Sequence, residues 1–492
     1  MKLVKSLLLG SAAGIAAVAG AQAADLPSRK AAPVEYVRVC SAFGAGFFYI
    51  PGTDTCLRVG GRVRAEYTFG ERWSAGQDSF GTRARGRIYI DARNQTAYGT
   101  LRTFVRYDLT TSTGSYRYNG TNAGANRMNG VNGANDEAAA LDSAFVQLGP
   151  LTAGKIQSFY SFYANDYGFQ VLRTSDRQVN VLAYTATFGG GFSATISLED
   201  PKTTGRRGTS QFIEPTTGLR NRTAYQGTTY PDVVASLRVD QGWGSAQLSG
   251  AIGDRSTYSS PYLRQDPTLN AADTLGSVVN GVSGTGRKKN DMGWAIQGGV
   301  KINLPMLAAG DAIFLQAGYA DGAIEYLGWN GTAGIGYGRL PAYGPVNFGR
   351  NAAGNLKSTT GYNLVAALRH YWTPSVRSDF LASYSALSTN DFDVAATVGI
   401  GDQRNFNPKE LLLGANLVWS PVAGLDIGVE VLYSRVEYGR RIMDAKTGAL
   451  NAAATGVAGI GGANAALAGY SMVRSIKSDD AWTGRLRIQR DF

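Results

Sequence analysis

The chain has 492 residues, with Lys+Arg 48 against Asp+Glu 37, a formal net charge of +11, one His, two Cys, 64 Gly and 26 Tyr. Charged residues make up only 17% where about 25% is usual, and Gly is close to twice the ~7% norm, which excludes a long-helix or coiled-coil protein. One His and two Cys leave no zinc finger, iron–sulfur cluster or Cys/His nucleophile, while the length allows either three domains of roughly 150 residues or one large closed β structure.

At the N-terminus, Lys2 and Lys5 precede an apolar stretch from Leu7 to Ala19 and then Ala21-Gln22-Ala23, the small-x-small pattern that signal peptidases cut. The stretch is short and interrupted by Gly10, Gly14 and Gly20, unlike a membrane anchor. Residues 1–23 are therefore expected to be a cleaved signal peptide and the protein to be exported. No later window approaches 18 uninterrupted apolar residues, so no helical span is expected. Residues 24–56 read as a periplasmic N-terminal segment. Cys40 and Cys56 lie sixteen positions apart, and in an oxidising compartment they are expected to pair, for about 3 kcal/mol in the chain-entropy model. Two free buried thiols are the alternative.

From Leu57 the sequence alternates with period 2, the period of a strand with one apolar and one polar face. Val59, Val63, Ala65, Tyr67 and Phe69 oppose Arg58, Arg62, Arg64, Glu66 and Thr68. Ile88 and Ile90 oppose Arg85, Arg87 and Asp91; Leu101, Val105, Tyr107 and Leu109 oppose Arg102, Phe104, Arg106 and Asp108. The pattern returns at Phe192 to Glu199, Trp294 to Asn303 and Leu425 to Tyr433, and in the last strand Trp482, Leu486, Ile488 and Phe492 oppose Arg485, Arg487 and Gln489. Ala138 to Leu148 and Gly361 to Trp372 alternate less cleanly, leaving their facing open.

The connections are of two kinds. Short ones rich in Gly, Pro, Asn or Ser fall at Asn94 to Ala97, Gly149 to Thr152, Gly189 to Gly191, Gln241 to Gly244, Leu304 to Gly310, Thr373 to Ser375 and Ser420 to Gly424. Long ones, such as Thr111 to Glu137, Asp321 to Thr360 and Tyr438 to Ser478, alternate with them. Seven short and eight long connections imply sixteen strands. A propeller would show a repeat of about 40 residues, and none is visible. Even strand number, alternating turn lengths, an apolar parity and aromatics near strand ends predict an all-β fold, a 16-stranded antiparallel transmembrane β-barrel over 57–492, with short periplasmic turns and long extracellular loops. An edge in hydrocarbon would leave backbone groups unpaired, so the first strand must pair with the last.

A barrel this wide leaves an aqueous channel unless a loop folds in. The third long connection, Ser161 to Arg177, is rich in aromatic and aliphatic side chains and is expected to enter the lumen, with Asp166, Asp176, Arg173 and Arg177 at the constriction. Opposite lies an inward basic ladder of Arg58, Arg62, Arg64, Arg85, Arg87, Arg102, Arg106, Arg485 and Arg487. Acids facing arginines would set a transverse field that passes small polar solutes. The bland alternative leaves these arginines as solvated lumen residues or pairs them with Glu66, Asp91 and Asp108 on neighbouring strands. Gly281 to Arg287 lacks the Lys and hydroxyl of a phosphate loop. His370 stands beside no Ser, and the basic residues form no linear nucleic-acid patch. No catalytic residue, cofactor or metal is expected, and no nucleic acid as partner.

The segment Tyr36-Val37-Arg38-Val39-Cys40, followed by Gly44-Ala45-Gly46-Phe47-Phe48-Tyr49-Ile50-Pro51-Gly52-Thr53-Asp54-Thr55-Cys56-Leu57-Arg58-Val59-Gly60-Gly61, resembles the N-terminal signature of the alphaproteobacterial porins of rhizobia and brucellae. Phe492 resembles the terminal residue by which such barrels are recognised for assembly. The resemblance is strongest over Glu35 to Glu66 and implies a homotrimer in the bacterial outer membrane that passes small hydrophilic solutes through a loop-constricted pore, and the excess of basic residues suits contact with anionic lipopolysaccharide and passage of small ions. Two other functions are carried forward: a substrate-selective channel, and a barrel acting mainly as adhesin or receptor through its loops.

Overall fold

The computed structural model describes residues 38–70, 79–114, 136–201, 212–213, 220–221, 230–255, 257–258, 288–289, 292–329, 347–350, 356–389, 407–443 and 475–492. The expected signal peptide and the Gly281 to Arg287 segment lie outside them. The chain divides into two units, Met1–Arg58 and Val59–Phe492.

In the first unit, a single 3-10 turn, Ser41–Phe43, leads to a short strand, Phe48–Tyr49, antiparallel to Cys56 and Leu57. The Cys40–Cys56 disulfide is formed, with Cα atoms 5.9 Å apart, and both sulfurs are buried with Phe47 beneath Phe43 and Tyr49. Too few apolar residues are present for a core without a covalent staple. The disulfide alternative is the correct one.

The second unit is built on a closed barrel of sixteen strands among the described residues. They are β1 (Cys56–Gly70, which begins in the first unit), β2 (Phe80–Thr96), β3 (Gly99–Ser112), β4 (Asp136–Leu148), β5 (Leu151–Gln157), β6 (Gln178–Gly189), β7 (Phe192–Glu199) and β8 (Asp232–Gln241). β9 (Gly244–Asp254), β10 (Met292–Asn303), β11 (Ala312–Asp321), β12 (Thr360–Thr373), β13 (Val376–Ser388), β14 (Lys409–Val422), β15 (Leu425–Met443) and β16 (Ser475–Asp491) complete it. Each pairs with its neighbour, and β1 pairs antiparallel with β16 from Arg62↔Asp491 to Gly70↔Thr483. The expected closure, strand count and alternation of short and long connections are all borne out. β15 and β16 run further than the sequence indicated, to Met443 and from Ser475.

The barrel is inside-out relative to a soluble sheet. Ile88 is 57%, Leu237 59% and Leu248 51% exposed on the outer parity, whereas Ser249 and Gln297 on the inner parity are 1% and 2% exposed. Hydrocarbon, not water, must meet that outer face. Aromatics ring both ends. Phe69 lies 5.3 Å from Phe80, Trp294 5.5 Å from Tyr319 and Tyr433 4.9 Å from Trp482 near the long loops, while Phe188, Phe192, Trp243, Trp372 and Trp419 stand exposed near the short turns. These are the depths at which an amphipathic ring is stable in a bilayer. At the tight β8–β9 turn, Gly244 has φ +145 and a Cβ there would stand 1.9 Å from the Lys301 carbonyl, so no other residue fits.

The two segments of unclear facing have physical explanations. In β4 the register shifts between Arg106 and Tyr107, so that Leu141 points outward while both Asp142 and Ser143 turn inward. A bulge is a way to re-aim one side chain, here a carboxylate aimed at arginines. β12 alternates faithfully, with Tyr362 and Leu364 outside and Asn363, Val365 and Ala367 inside. Its inner face is apolar because it meets another part of the chain.

Candidate functional site: a constricted lumen

The loop Ser158 to Arg177 enters the barrel. Phe162, Tyr163, Tyr167 and Leu172 pack on Phe314 of β11, Val365 and Ala367 of β12, Leu381 of β13, Leu412 of β14 and Leu432 of β15. Gly299 makes room: a Cβ there would fall 2.3 Å from the Phe162 ring. A buried loop must also satisfy its backbone, and the polar inner face does this. Gln247, Ser249 and Gln297 all donate to the Tyr160 carbonyl, and the Tyr163 N–H donates to Gln316 at 2.9 Å. Asn416 donates to the Tyr167 carbonyl, Asn363 to that of Arg173, and Arg485 and Arg487 to that of Phe169. The Phe169 and Gln170 N–H groups donate to the two oxygens of Glu430. The loop is thus stitched to the wall from β9 round to β16. Asn165 takes a left-handed conformation, φ 56, and its side chain accepts the Leu172 N–H at 2.8 Å, which folds the loop back on itself.

A second segment enters from the long connection after β11, and sequence reasoning had placed that whole connection outside. The 3-10 turn Ile324–Leu327 buries all four of its residues, and Trp329 follows them inward, stacked among Tyr160, Val234, Ala251, Leu387 and Tyr438. Tyr326 meets Tyr160 edge-on at 4.6 Å, and Trp329 Nε1 donates to Ser385 Oγ at 2.6 Å. The Tyr326 hydroxyl donates to Asp232, which also holds Arg255 at 2.7 and 2.8 Å. Glu325 lies buried beside them, accepting from Asn347 and 3.8 Å from Arg255 Nε. Burial pushes the Glu325 carboxyl up to about 7, against the pull of Arg255. Ile324, Tyr326, Leu327 and Trp329 carry the same signal, apolar and aromatic residues in a supposed outer loop, that marked the third connection.

The wall formed by β1 to β4 with β16 is basic. Nine arginines, Arg62, Arg83, Arg85, Arg87, Arg93, Arg102, Arg106, Arg485 and Arg487, share the five carboxylates of Glu66, Asp91, Asp108, Asp142 and Asp491, and Arg64 lies among them. Arg87 donates to both oxygens of Asp108 at 2.6 and 2.8 Å; Arg93 and Arg102 both fork onto Asp91. Glu66 alone faces Arg83, Arg485 and Arg487. Arg62 pairs with Asp491 at 2.5 Å, and Arg64 donates to Gln489. The pairing foreseen with Glu66, Asp91 and Asp108 occurs, yet cations remain in excess. Arg58 belongs to the first unit, where its side chain lies along Gly46.

The loop residues fall into separate places. Asp166 is exposed in the lumen, where the charges of Arg369 and Lys301 act on it; the β1–β3 arginines are not among its main electrostatic partners. Asp176 accepts from Gln157 and Asn165, each at 3.2 Å, tying the ends of the loop together. The Arg177 carbonyl accepts the Ser158 N–H at 2.9 Å and closes the loop base. Arg173 forks onto Glu410 of β14, donates to the Gly328 carbonyl at 3.0 Å and lies 4.2 Å over the Trp329 ring. It therefore clamps the two inward segments to the wall. Phe492 exchanges backbone hydrogen bonds with Gly61 at 2.8 and 3.0 Å and exposes its ring on the outer face. Glu410 and Glu430 were not singled out from the sequence; their signal is a lone carboxylate on the inner parity of a strand.

Among the described residues, no group of His, Cys, Asp or Glu is arranged to hold a metal ion. What the arrangement offers is a charged aqueous path past two inward segments. Such a barrel, apolar outside and charged within, is an outer-membrane porin channel. The chain belongs to the Porin subfamily, whose family model matches residues 25–459, as the resemblance of the Glu35 to Glu66 signature implied. It is 33% identical over 354 residues to Porin Omp2b of Brucella suis, covering 69% of this chain and 89% of that protein. To Porin Omp2b of Brucella abortus (strain 2308) it is 31% identical over 360 residues, covering 69% and 90%. Among solved structures, the outer membrane channel DcaP of Acinetobacter baumannii shares the fold, with TM-score 0.56 at 12% identity, covering 90% of this chain and 99% of that one.

Proposed function

We propose that the protein is a general diffusion porin. It passes small hydrophilic solutes and ions through a pore bounded on one side by the Ser158 to Arg177 loop and on the other by the arginines of β1 to β4 and β16. The observation that carries this reading is that nine arginines pair with five carboxylates, with Arg64 beside them on Gln489, on the β1 to β4 and β16 wall, a net positive surface in a water-filled channel with low-dielectric walls. Asp166 supplies the opposing charge on the loop, Asp176 and Arg177 hold the loop's base, and Arg173 holds its far limb. The chain acts as a channel and not an enzyme. It is exported with residues 1–23 removed, assembles as a homotrimer with Phe492 as the assembly signal, and sits in lipid and lipopolysaccharide. Purified protein in a planar bilayer should give stable, ohmic single channels, and a tenfold salt gradient should give a reversal potential of anion-preferring sign. A closed or purely cation-selective channel would refute the reading.

A further inference from the structure

On the short-turn side of the loop lies a cavity of about 620 Å³, lined by Phe162 and Asp166 of the loop, Arg238 and Asp240 of β8, Lys301 of β10 and Phe314 of β11. Its volume lies within the range of small-ligand sites. The charges at its rim are not equivalent. Arg238 donates to both oxygens of Asp240 at 2.7 and 2.8 Å, so these two answer each other on their own strand. Asp166 and Lys301 have neither an ion pair nor a side-chain hydrogen bond among the described residues. In the same lining two aromatic rings meet edge-on, Phe162 and Phe314, with centroids 5.7 Å apart. The Lys301 ammonium stands 5.4 Å from the centre of the Phe314 ring. A carboxylate on which Arg369 and Lys301 act, an ammonium without a hydrogen-bond partner among the described residues, and the exposed edges of two largely buried rings thus line the same space.

We infer that this vestibule is a binding subsite for small zwitterions with an apolar side chain, of the amino-acid or dipeptide class. The ligand's ammonium meets Asp166, its carboxylate meets Lys301, and its side chain rests on the exposed edges of Phe162 and Phe314. A purely anionic solute would be repelled by Asp166 and a purely cationic one by Lys301, so the pair discriminates by repulsion as well as by attraction. Gly299 allows the aromatic floor, since a Cβ there would collide with the Phe162 ring. A channel site must bind weakly enough to release, and an exposed carboxylate, a half-buried ammonium and a small apolar edge meet that condition.

The inference rests on the porin reading, and single-channel recording separates the two. Channels that do not conduct sink the porin reading. In conducting channels, L-phenylalanine is titrated from the short-turn side and compared with phenethylamine, 3-phenylpropionate and L-serine, which lack the carboxylate, the ammonium and the aromatic body. Phenylalanine should interrupt the current at concentrations about tenfold below those of each analogue. Lys301→Met should remove its advantage over phenethylamine, and Asp166→Asn its advantage over 3-phenylpropionate, with Lys301→Arg restoring the first. Both side chains project into the lumen, so variants should keep the heat-modifiable barrel mobility on gels that marks correct folding. Equal block by all four solutes, or an unchanged ranking in the folded variants, would overturn the assignment.

Discussion

Glu430 of β15 holds Phe169 at the far reach of the lumenal loop: one carboxylate oxygen accepts the Phe169 N–H at 2.6 Å and the other the Gln170 N–H at 2.7 Å. Glu430 is buried, and Arg485 and Arg487 donate to the Phe169 carbonyl from the next strand. The Phe169–Gln170 peptide is thereby held at both its donor and its acceptor, and the preceding peptide at its donor. A loop that depended on apolar contacts alone could slide; one fixed by charged hydrogen bonds at this point has one position.

Replacing Glu430 with Gln keeps the volume but turns an amide NH2 toward one of the two N–H donors. Charge-assisted hydrogen bonds contribute about 1.5–3 kcal/mol each. The variant should show larger mean conductance and more frequent current fluctuation than the parent, with the barrel intact. Conductance and noise equal to the parent's would mean that the loop is held elsewhere.

The Arg173–Glu410 pair should behave as a unit. Arg173→Met leaves the Glu410 carboxylate buried without its partner, at a cost of about 3–5 kcal/mol, whereas the double change to Met at both positions removes the unpaired charge. Thermal unfolding in detergent should therefore rank parent, double variant and single variant in falling stability. A double variant less stable than Arg173→Met would contradict the ion-pair account.

On the basic wall, Arg62 and Arg85 are the most open to change. Arg62 pairs with Asp491 near the barrel seam, and Arg85 reaches Asp108 only at 3.6 Å. Arg62→Gln with Arg85→Gln removes two cations while leaving the Arg87–Asp108 fork in place. The reversal potential in a salt gradient should move toward cations, and the shift should shrink at high salt as screening grows. An unchanged reversal potential would show that these side chains are fully compensated.

Glu325 makes the second inward segment pH-sensitive. Its carboxyl, raised to about 7 by burial, lies above the ~4.3 of a free glutamate, so the seated turn holds the proton more tightly than a released one. Its seating is favoured at acid pH and weakens as pH rises toward 7 and beyond, with Arg255, Asp232 and Asn347 facing the group. Trp329 fluorescence, or conductance, followed from about pH 5 to about pH 8 should report loosening with rising pH. Glu325→Gln should flatten that response; an undiminished response would place its origin in another group.

Legibility from sequence followed the source of each constraint. The outer face of β1, β2 and β10 was readable because lipid demands an unbroken apolar parity. Facing failed in β12, whose inner Val365 and Ala367 are apolar because they receive Tyr163 and Tyr167 of the loop, so that both parities look alike. It failed in β4 because the bulge at Asp142 breaks the period. The third loop was found by its aromatic content. The Ile324–Leu327 turn carried a similar signal but was diluted within a connection of nearly forty residues.

The sequence by itself determined the sixteen strands, their closure and the disulfide cysteines, since each follows from local alternation, turn chemistry or spacing along the chain. Only the tertiary structure decided which carboxylate meets which arginine, that Glu430 and Glu410 seat the loop, and that Asp166 and Lys301 share a cavity with two phenylalanines. Those pairings join residues up to hundreds of positions apart, and they depend on strand register and on where the loop comes to rest. Both are set by the closed barrel as a whole, because moving a strand by one residue exchanges its lumenal and lipid faces.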